Sequence, residues 1–381
     1  MIRHSTPQVL TINRVAAVMI AVLCAGCTGD VPRPARNGDA GTPRLSLADS
    51  VVLQETDSLY LGSPGALTVT PTRLFVSDGQ SERVVSFSPE GRVVSVYGKK
   101  GKGPGELTNP GPVAVIGDSV LVVTDRSTRT LSTFDLRSGR FGRSVRFMGN
   151  PLSLVPSGDT VWFGAIRMGA GTSTAFWALA ADSVEYAGPR PPAAYFESPQ
   201  LAAIHTFAPI ERWSDTILVG YTGHHALYVA DGSGALRDSL VPPAVHRRGV
   251  PVDLGARFAR GGLTPEQEAS MSSVLAGVHH TPSGAILLVH LDYVIRGTAP
   301  TATGYVSVLS PDLRRACVDA RLDLSQDARP VIGFLGDTIY TLEQHVAVEN
   351  RASTVVRKYT IDSDGCSWRP ADASANAGGS R

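Results

Sequence analysis

The sequence predicts an all-β fold, a β-propeller of six blades with four antiparallel strands in each blade. From residue 50 onward, apolar runs of five to eight residues alternate with Gly, Asp, Pro and Ser. The 39 glycines and 26 prolines are residues that mark turns between short strands. One turn-and-strand motif recurs six times, which predicts six blades; five or seven blades are the alternatives, because Gly and Ala blur the third unit. A β-sandwich would explain the short strands, but only a repeat architecture explains the recurrence.

The recurring motif is a polar turn followed by a strongly apolar strand. Its six copies are "PTRLFVSD" (71–78), "GDSVLVVTD" (117–125), "GDTVWFGAI" (158–166), "SDTILVGYT" (214–222), "SGAILLVHL" (283–291) and "GDTIYTLEQ" (336–344). We interpret it as the second strand of each blade, which is apolar on both faces because neighbouring blades cover both. The stretch 47–56 is expected to add an outer strand to the last blade, closing the ring and removing exposed sheet edges.

The first residues have the pattern of an export signal. Residues 1–26 carry Arg3 and Arg14, no acidic residue, and a short apolar run that is too short to span a bilayer stably. The ending "LCAGC" (23–27) resembles a bacterial lipobox, which implies that Cys27 is the lipidated first residue of the mature protein. The alternative is an ordinary signal peptide that is cut nearby and releases a soluble protein.

The remaining chain divides into a tether, one domain and a tail. Residues 27–44 are rich in Pro, Gly and Asp and are expected to form a flexible tether. We place the propeller at 45–370 and a disordered tail at 371–381. Two insertions, 186–204 and 242–273, join blades 3 to 4 and 4 to 5; within the second, Thr264 is placed to cap a short helix.

Cys317 and Cys366 remain for disulfide chemistry once Cys27 carries a lipid. In an oxidising compartment a bridge between them would close a loop of about 50 residues and contribute roughly 4 kcal/mol by the chain-entropy model. The alternative is two unpaired thiols, because spacing alone does not show that two Cα atoms are close.

The stretch "GKKGKGPGELTNPGPVAV" (98–115) does not fit a phosphate-binding loop. Such a loop requires Gly-Lys followed by Ser or Thr before a helix, whereas Lys102 is followed by Gly103 and two prolines introduce the next strand. We interpret the stretch as a connector between blades. The alternative is a basic docking loop.

Together with "DGQSER" (78–83) and "TDRSTR" (124–129), this connector resembles the repeats of NHL-type propellers. The resemblance is strongest over 73–136, and Thr130 stands where the repeat has an Arg. The chain resembles the six-bladed β-propeller lipoproteins of bacterial envelopes. That resemblance implies an extracytoplasmic, lipid-anchored protein, on the outer membrane or the periplasmic face, in a group whose members mostly lack an assigned reaction.

Candidate site residues lie on the face where the second-to-third strand loops and the blade connectors emerge. They are Asp78, Asp125, Arg126, Arg167, Tyr195, Phe196, His224, His225, His290, Asp292, Tyr293, Glu343 and His345. We interpret Asp78 and Asp125, which occupy the same blade position, as turn caps.

The candidate histidines could alternatively form a metal site. Neutral imidazoles from successive blades, in particular those of His225, His290 and His345, suit a transition metal. However, no pair has the spacing of a known metal motif, and adjacent side chains on a strand point to opposite faces. We therefore predict no cofactor, and keep a metal-dependent propeller-type lyase or hydrolase as the alternative function.

The main prediction is a membrane-tethered binding module for a protein, peptide or glycan of the bacterial cell envelope. The net charge of +1 gives no long-range attraction to nucleic acid, so none is expected as a partner. A monomer is expected, with the membrane reached through the anchor at Cys27.

Overall fold

The computed structural model describes residues 41–56, 58–192, 207–243, 246, 247, 249, 273–296, 299–324, 331–346 and 352–373. The described chain forms six antiparallel sheets, each with four strands of a blade, in which consecutive strands are neighbours. The predicted fold class, an all-β propeller of six blades, is confirmed.

The first half of the domain contains the closing strand and three blades. The strand β1 is Arg44–Val52. Blade 1 consists of β2 (Pro64–Val69), β3 (Leu74–Asp78), β4 (Arg83–Phe87) and β5 (Val93–Tyr97). The connector to blade 2 contains β6 (Lys99–Lys100) and β7 (Glu106–Leu107). Blade 2 consists of β8 (Pro110–Ile116), β9 (Val120–Asp125), β10 (Thr130–Asp135) and β11 (Phe141–Arg146). Blade 3 consists of β12 (Leu154–Ser157), β13 (Thr160–Arg167), β14 (Thr172–Ala178) and β15 (Glu185–Ala187), with the 3₁₀ turn Met168–Ala170 after β13.

The second half contains blades 4 to 6 and two short terminal strands. Blade 4 consists of β16 (Ile210–Trp213), β17 (Thr216–Gly220), β18 (Leu227–Asp231) and β19 (Leu236–Val241). Blade 5 consists of β20 (Val274–His280), β21 (Ile286–Arg296), β22 (Ala299–Leu309) and β23 (Arg315–Leu322). Blade 6 consists of β24 (Val331–Leu335), β25 (Thr338–Val346), β26 (Ala352–Asp362) and, as its outer strand, β1. The last strands are β27 (Arg369–Pro370) and β28 (Asp372–Ala373).

Each copy of the sequence motif lies on the second strand of a blade, as predicted, and β13, β21 and β25 continue past the end of their copies. In blade 1, all five residues of β3 are buried. Phe75 packs in the cluster shared with blade 2, whereas Leu74 and Val76 pack in the cluster shared with blade 6. Successive side chains of a strand point to opposite faces, so a strand between two neighbours needs apolar residues at every position. Each of the six blade interfaces has its own apolar cluster.

The ring is closed by pairing between the two ends of the domain. β1 pairs antiparallel with β26, from Arg44 opposite Asp362 to Val52 opposite Val355. The predicted closing strand is therefore present, and it begins at Arg44.

The chain after β26, which we call the C-terminal strap (363–373), runs along the outer edges of blades 5 and 4. β27 pairs with β23, and β28 pairs with β19. Asp372 and Ala373, which the sequence assigned to the tail, thus pair with β19, because the free edge of that strand offers backbone partners.

A disulfide between Cys317 and Cys366 fixes the strap to β23. Its sequence separation is 49 residues. Beside it, the Ser367 N–H donates to the Gly41 carbonyl at 2.9 Å, so the strap also contacts the segment that precedes β1.

The connector between blades 1 and 2 is held by two ion pairs, one within the connector and one to the loop between β3 and β4. Lys99 pairs with Glu106 at 3.3 Å and Lys100 pairs with Glu82 at 3.4 Å. At Gly105, φ is +75° and a Cβ would lie 2.9 Å from the Phe141 Cβ, so glycine is required there.

Several sequence-based expectations fall outside the described residues: lipidation at Cys27, the tether up to residue 40, the positions of Tyr195 and Phe196, and the helix expected after Thr264. The last tether residues, 41–44, are described: Gly41 contacts Ser367, and Arg44 begins β1. Within the part of the chain that the structure describes, no helix has the length and hydropathy that a membrane-spanning segment requires.

Candidate functional site

Asp78 lies at the end of β3, on the face predicted to carry function, and is fully buried. Its carboxylate accepts hydrogen bonds from the backbone N–H groups of Gly62 at 3.0 Å and Ser63 at 2.6 Å, in the connector from blade 6. It also accepts from the N–H groups of Gln80 and Ser81 in its own turn. One carboxylate therefore joins a blade connector to a strand loop.

Asp125 makes the same set of contacts one blade later. Its oxygens accept from the N–H groups of Thr108 at 2.6 Å and Asn109 at 3.3 Å in the connector, and from Ser127 and Thr128 in its own turn. Burial disfavours the charged carboxylate, but the hydrogen bonds from Thr128, Thr108 and Asn109 outweigh it, so the pKa of Asp125 lies below its ordinary value. The Asp125 oxygens therefore serve to hold the connector and the turn together.

Glu343 of blade 6 occupies a corresponding position. It lies four residues after Ile339, which pairs with Tyr359, as Asp78 lies four after Leu74, which pairs with Phe87. Glu343 is fully buried, and its Oε2 lies 3.2 Å from Arg357 Nη1 and 3.6 Å from His345 Nε2. The predicted residues Glu343 and His345 thus belong, with Arg357, to one polar cluster on blade 6.

His224, His225 and His290 gather around a buried arginine at the interface of blades 4 and 5. Arg247 donates from Nη2 to the His224 carbonyl at 2.9 Å. Burial, the Arg247 charge and His225 lower the pKa of His224 to about 4. Burial, then Arg247 and His246, lower the pKa of His290 to about 3. These imidazoles are therefore neutral at physiological pH.

The predicted residues of blade 5 all belong to β21. His290 stacks on Tyr305, with ring centroids 5.4 Å apart, and its Nε2 lies 3.7 Å from Asp319 Oδ1. Burial, with a contribution from the charge of Asp292, raises the pKa of Tyr305. Tyr293 follows in the same strand and pairs with Ala302.

The structure does not join His225, His290 and His345 in one site. His225 Nε2 accepts from the Gly249 N–H, His290 faces Asp319, and His345 pairs with Glu343. Among the described residues, no group of three or more His, Cys, Asp or Glu side chains could hold a metal ion.

Arg126 and Arg167 belong to different blades and make different contacts. The half-buried Arg126 side chain passes over Gly111, where a Cβ would lie 3.0 Å from its Nε, and burial lowers its pKa. Arg167 ends β13 and stacks on Tyr186, with 4.3 Å between its Cζ and the ring centroid.

A crevice of about 490 Å³ opens between blades 2 and 3 on this face, and we call it the blade 2–3 crevice. Its lining comes from the second-to-third strand loops of both blades and from the connector between them: Arg129, Met148, Gly149, Asn150, Ile166, Arg167, Met168, Gly169 and Ala170. Met148 is 51% exposed although it is large and apolar. None of these nine residues is acidic or aromatic.

Local sequence explains the shape of the crevice. Gly149 has φ of +126°, and a Cβ there would lie 2.8 Å from the Ala165 Cα, so only glycine lets the connector approach blade 3. The Met148 N–H donates to the Tyr186 hydroxyl at 2.7 Å, which holds the methionine at the rim.

Arg129 and Met148 are not among the candidate residues predicted from the sequence. Thr130 pairs with Asp125 as Arg83 pairs with Asp78, so Thr130 does stand in the place of the repeat's arginine. Arg129 is one residue earlier, at the turn, with φ of +55°. The second arginine of "DRSTR" (125–129) was the sequence feature that could have pointed to Arg129.

Comparison with known proteins supports the fold. Residues 46–162 match the model of the DUF5128 family, described as a 6-bladed β-propeller. No curated protein sequence matches the chain significantly.

Two solved structures from Bacteroides are similar to this chain. A member of the DUF4221 family from Bacteroides vulgatus aligns with a TM-score of 0.61 at 12% identity, covering 85% of this chain and 99% of that one. A protein of Bacteroides fragilis that is described as exported aligns with a TM-score of 0.54 at 12% identity, covering 82% of this chain and 94% of that one. At this identity the likeness establishes the propeller fold alone.

Proposed function

We propose that this protein is an extracytoplasmic propeller, tethered to a membrane of the bacterial cell envelope by a lipid on Cys27, which binds a protein, peptide or glycan partner there. The observation that carries the proposal is the blade 2–3 crevice. It combines an exposed methionine with Arg129 and Arg167 on the face where the strand loops and connectors emerge. Exposed apolar residues and arginine are enriched where proteins bind partners.

The surroundings of the crevice favour binding over a purely structural role. Asp125 fixes the loop of blade 2, and Tyr186 fixes both Arg167 and Met148. A surface whose side chains are held before binding loses less conformational entropy when a partner arrives. The rigid ring beneath keeps the two contributing loops in place.

The cellular location is supported by two features of the chain. The first 27 residues have the pattern of an export signal that ends in a lipobox-like "LCAGC". The Cys317–Cys366 disulfide fits an oxidising compartment outside the cytoplasm.

Site-specific photocrosslinking in cells tests the binding face. A benzophenone amino acid at position 148 is expected to form a discrete crosslinked product with an envelope component. The matched control is position 236 on the outer strand of blade 4, where Leu236 is 43% exposed. Equal labelling at both positions, or no product at 148, would count against the crevice as the binding surface.

Lipidation is tested separately with Cys27→Ser. The native protein is expected to incorporate a labelled fatty acid and to sediment with membranes, and the variant to lose both properties. If fatty acid is incorporated equally by both, the anchor is not at Cys27.

A further inference from the structure

We infer that the partner presents an acidic peptide segment to the blade 2–3 crevice, with a carboxylate side chain held by Arg129 and Arg167 and a neighbouring apolar side chain packed on Met148. This inference rests on the proposed function and names the ligand class for the same site.

The lining of the crevice is basic, with two arginines and no acidic residue. Neither Arg129 nor Arg167 forms an ion pair with a carboxylate of the described residues. The nearest acidic residue in sequence, Asp125, already accepts hydrogen bonds from four backbone N–H groups. Guanidinium groups recognise carboxylates through paired, charge-assisted hydrogen bonds, so an anionic ligand is the matching partner.

Arg167 is positioned for such a contact before any ligand binds. Its guanidinium stacks on Tyr186 at 4.3 Å, and the hydroxyl of the same ring accepts the Met148 N–H at 2.7 Å. One aromatic ring thus fixes the basic and the apolar element of the crevice relative to each other. Stacking uses the flat face of the guanidinium and leaves its N–H edge available.

The apolar lining favours a peptide over a glycan. Met148, Ile166 and Met168 contribute thioether and aliphatic groups, and no Trp, Tyr or Phe lines the crevice. Methionine adapts its shape to varied apolar side chains. The crevice volume of about 490 Å³ lies within the range of small-ligand sites, which suits a few side chains of one segment.

Fluorescence anisotropy with three labelled nonapeptides tests the inference. The probes alternate Leu with Glu, Ser or Lys, and the protein is the folded domain purified with its disulfide intact. We expect the Glu–Leu peptide to bind at least tenfold more tightly than the other two. Its Kd should rise at least tenfold in Arg129→Gln and in Arg167→Gln, and several-fold in Met148→Ser.

Arg237→Gln is the matched control, because Arg237 is an exposed arginine on the outer strand of blade 4. It should leave the Kd unchanged, and circular dichroism should show all variants folded. Equal affinity for the Glu–Leu and Ser–Leu peptides, or an unchanged Kd in the double variant Arg129→Gln/Arg167→Gln, would overturn the inference. A crosslink at position 148 without Glu–Leu binding would remove the acidic-peptide inference alone, whereas absence of both would remove the proposed binding surface as well.

Discussion

The guanidinium of Arg167 lies on the ring of Tyr186, 4.3 Å from its centroid, on the outer side of blade 3. Tyr186 belongs to the fourth strand, β15, and Arg167 to the end of the second, β13. The contact therefore spans the third strand and joins the rim of the crevice to the outer edge of the blade. The contact makes this side of the crevice rigid, and substitutions of Tyr186 can change it in small steps.

Replacing Tyr186 with Phe should separate the two contacts of this ring. Tyr186→Phe keeps the ring beneath Arg167 and removes the acceptor for the Met148 N–H, at a cost of about 0.5–1 kcal/mol in the free energy of unfolding. Tyr186→Leu also removes the cation–π contact and should cost about 0.5–1 kcal/mol more. Urea unfolding measures both, with the exposed Tyr60→Phe as control. Equal stability of the Phe and Leu variants would show that the stacking contributes nothing.

Asp125 should make the fold sensitive to acid. Its folded-state pKa is below the ordinary value despite burial, because backbone N–H groups stabilise the carboxylate. The resulting stability is present above the unfolded pKa of about 3.9 and is lost as the pH falls through the folded pKa. Asp125→Asn should lower the free energy of unfolding by about 2–3 kcal/mol at pH 7. It should also reduce the further loss of stability as the pH falls. The exposed Asp182→Asn should change neither, and an Asp125→Asn protein with native stability would contradict the role of this carboxylate in joining connector to loop.

His290 should make stability fall in a different pH window. Burial, then Arg247 and His246, lower its pKa to about 3, whereas the unfolded residue titrates near 6.5. The unfolded state therefore gains a proton first, and stability should decline from about pH 6.5 downward, by about 1.5 kcal/mol between pH 6.5 and 5 from this residue. His290→Phe keeps a ring against Tyr305 and should reduce that decline by the same amount.

The prediction for His290 concerns how steeply the free energy of unfolding falls between pH 6.5 and 5. A control variant must therefore separate this slope from a loss of stability that is equal at every pH. Leu288→Ala removes a buried side chain from the same strand without removing a titrating group. It should lower stability at every pH and leave the slope between pH 6.5 and 5 unchanged. A slope altered by Leu288→Ala and not by His290→Phe would assign the pH dependence elsewhere.

Removing the disulfide should release the C-terminal strap. The double variant Cys317→Ala/Cys366→Ala should lose about 4 kcal/mol, since the bridge closes a loop of 49 residues. Chymotrypsin should then cleave after Trp368 faster than in the oxidised protein. Reductant should accelerate cleavage of the native protein and have no effect on the variant. Equal cleavage of all forms would mean that strand pairing by β27 and β28 alone holds the strap.

The fold could be predicted because its signal repeats. A second strand such as β3 is buried on both faces, so its apolar run is visible without any knowledge of neighbours. Asp78 and Asp125 could be recognised as turn caps because each follows such a run directly and precedes a polar turn. These inferences need only the local periodicity of a strand and the hydrogen-bonding habits of aspartate.

The sites between blades could not be predicted in the same way. Arg247 belongs to the connector after blade 4, and its burial beside His224 and His290 depends on how two blades meet. The pairing of Cys317 with Cys366 likewise depends on where the strap runs. Arg129 and Arg167 are 38 positions apart, and only the angle between blades 2 and 3 places them on one crevice. Side-chain contacts across repeats are set by ring geometry, which no single stretch of sequence contains.

The pairing of β1 with β26 has a consequence for how the protein is made. Arg44 precedes its partner Asp362 by 318 positions, so there is an interval, as the chain emerges, in which β1 is present and β26 is not. During that interval blade 1 has no neighbour on its blade 6 side, and the cluster around Val76 and Phe87 is incomplete. A chain that stops before β26 cannot cover this surface, so it should remain a substrate for proteases. We therefore expect resistance to proteases to appear only when the complete polypeptide has closed the ring.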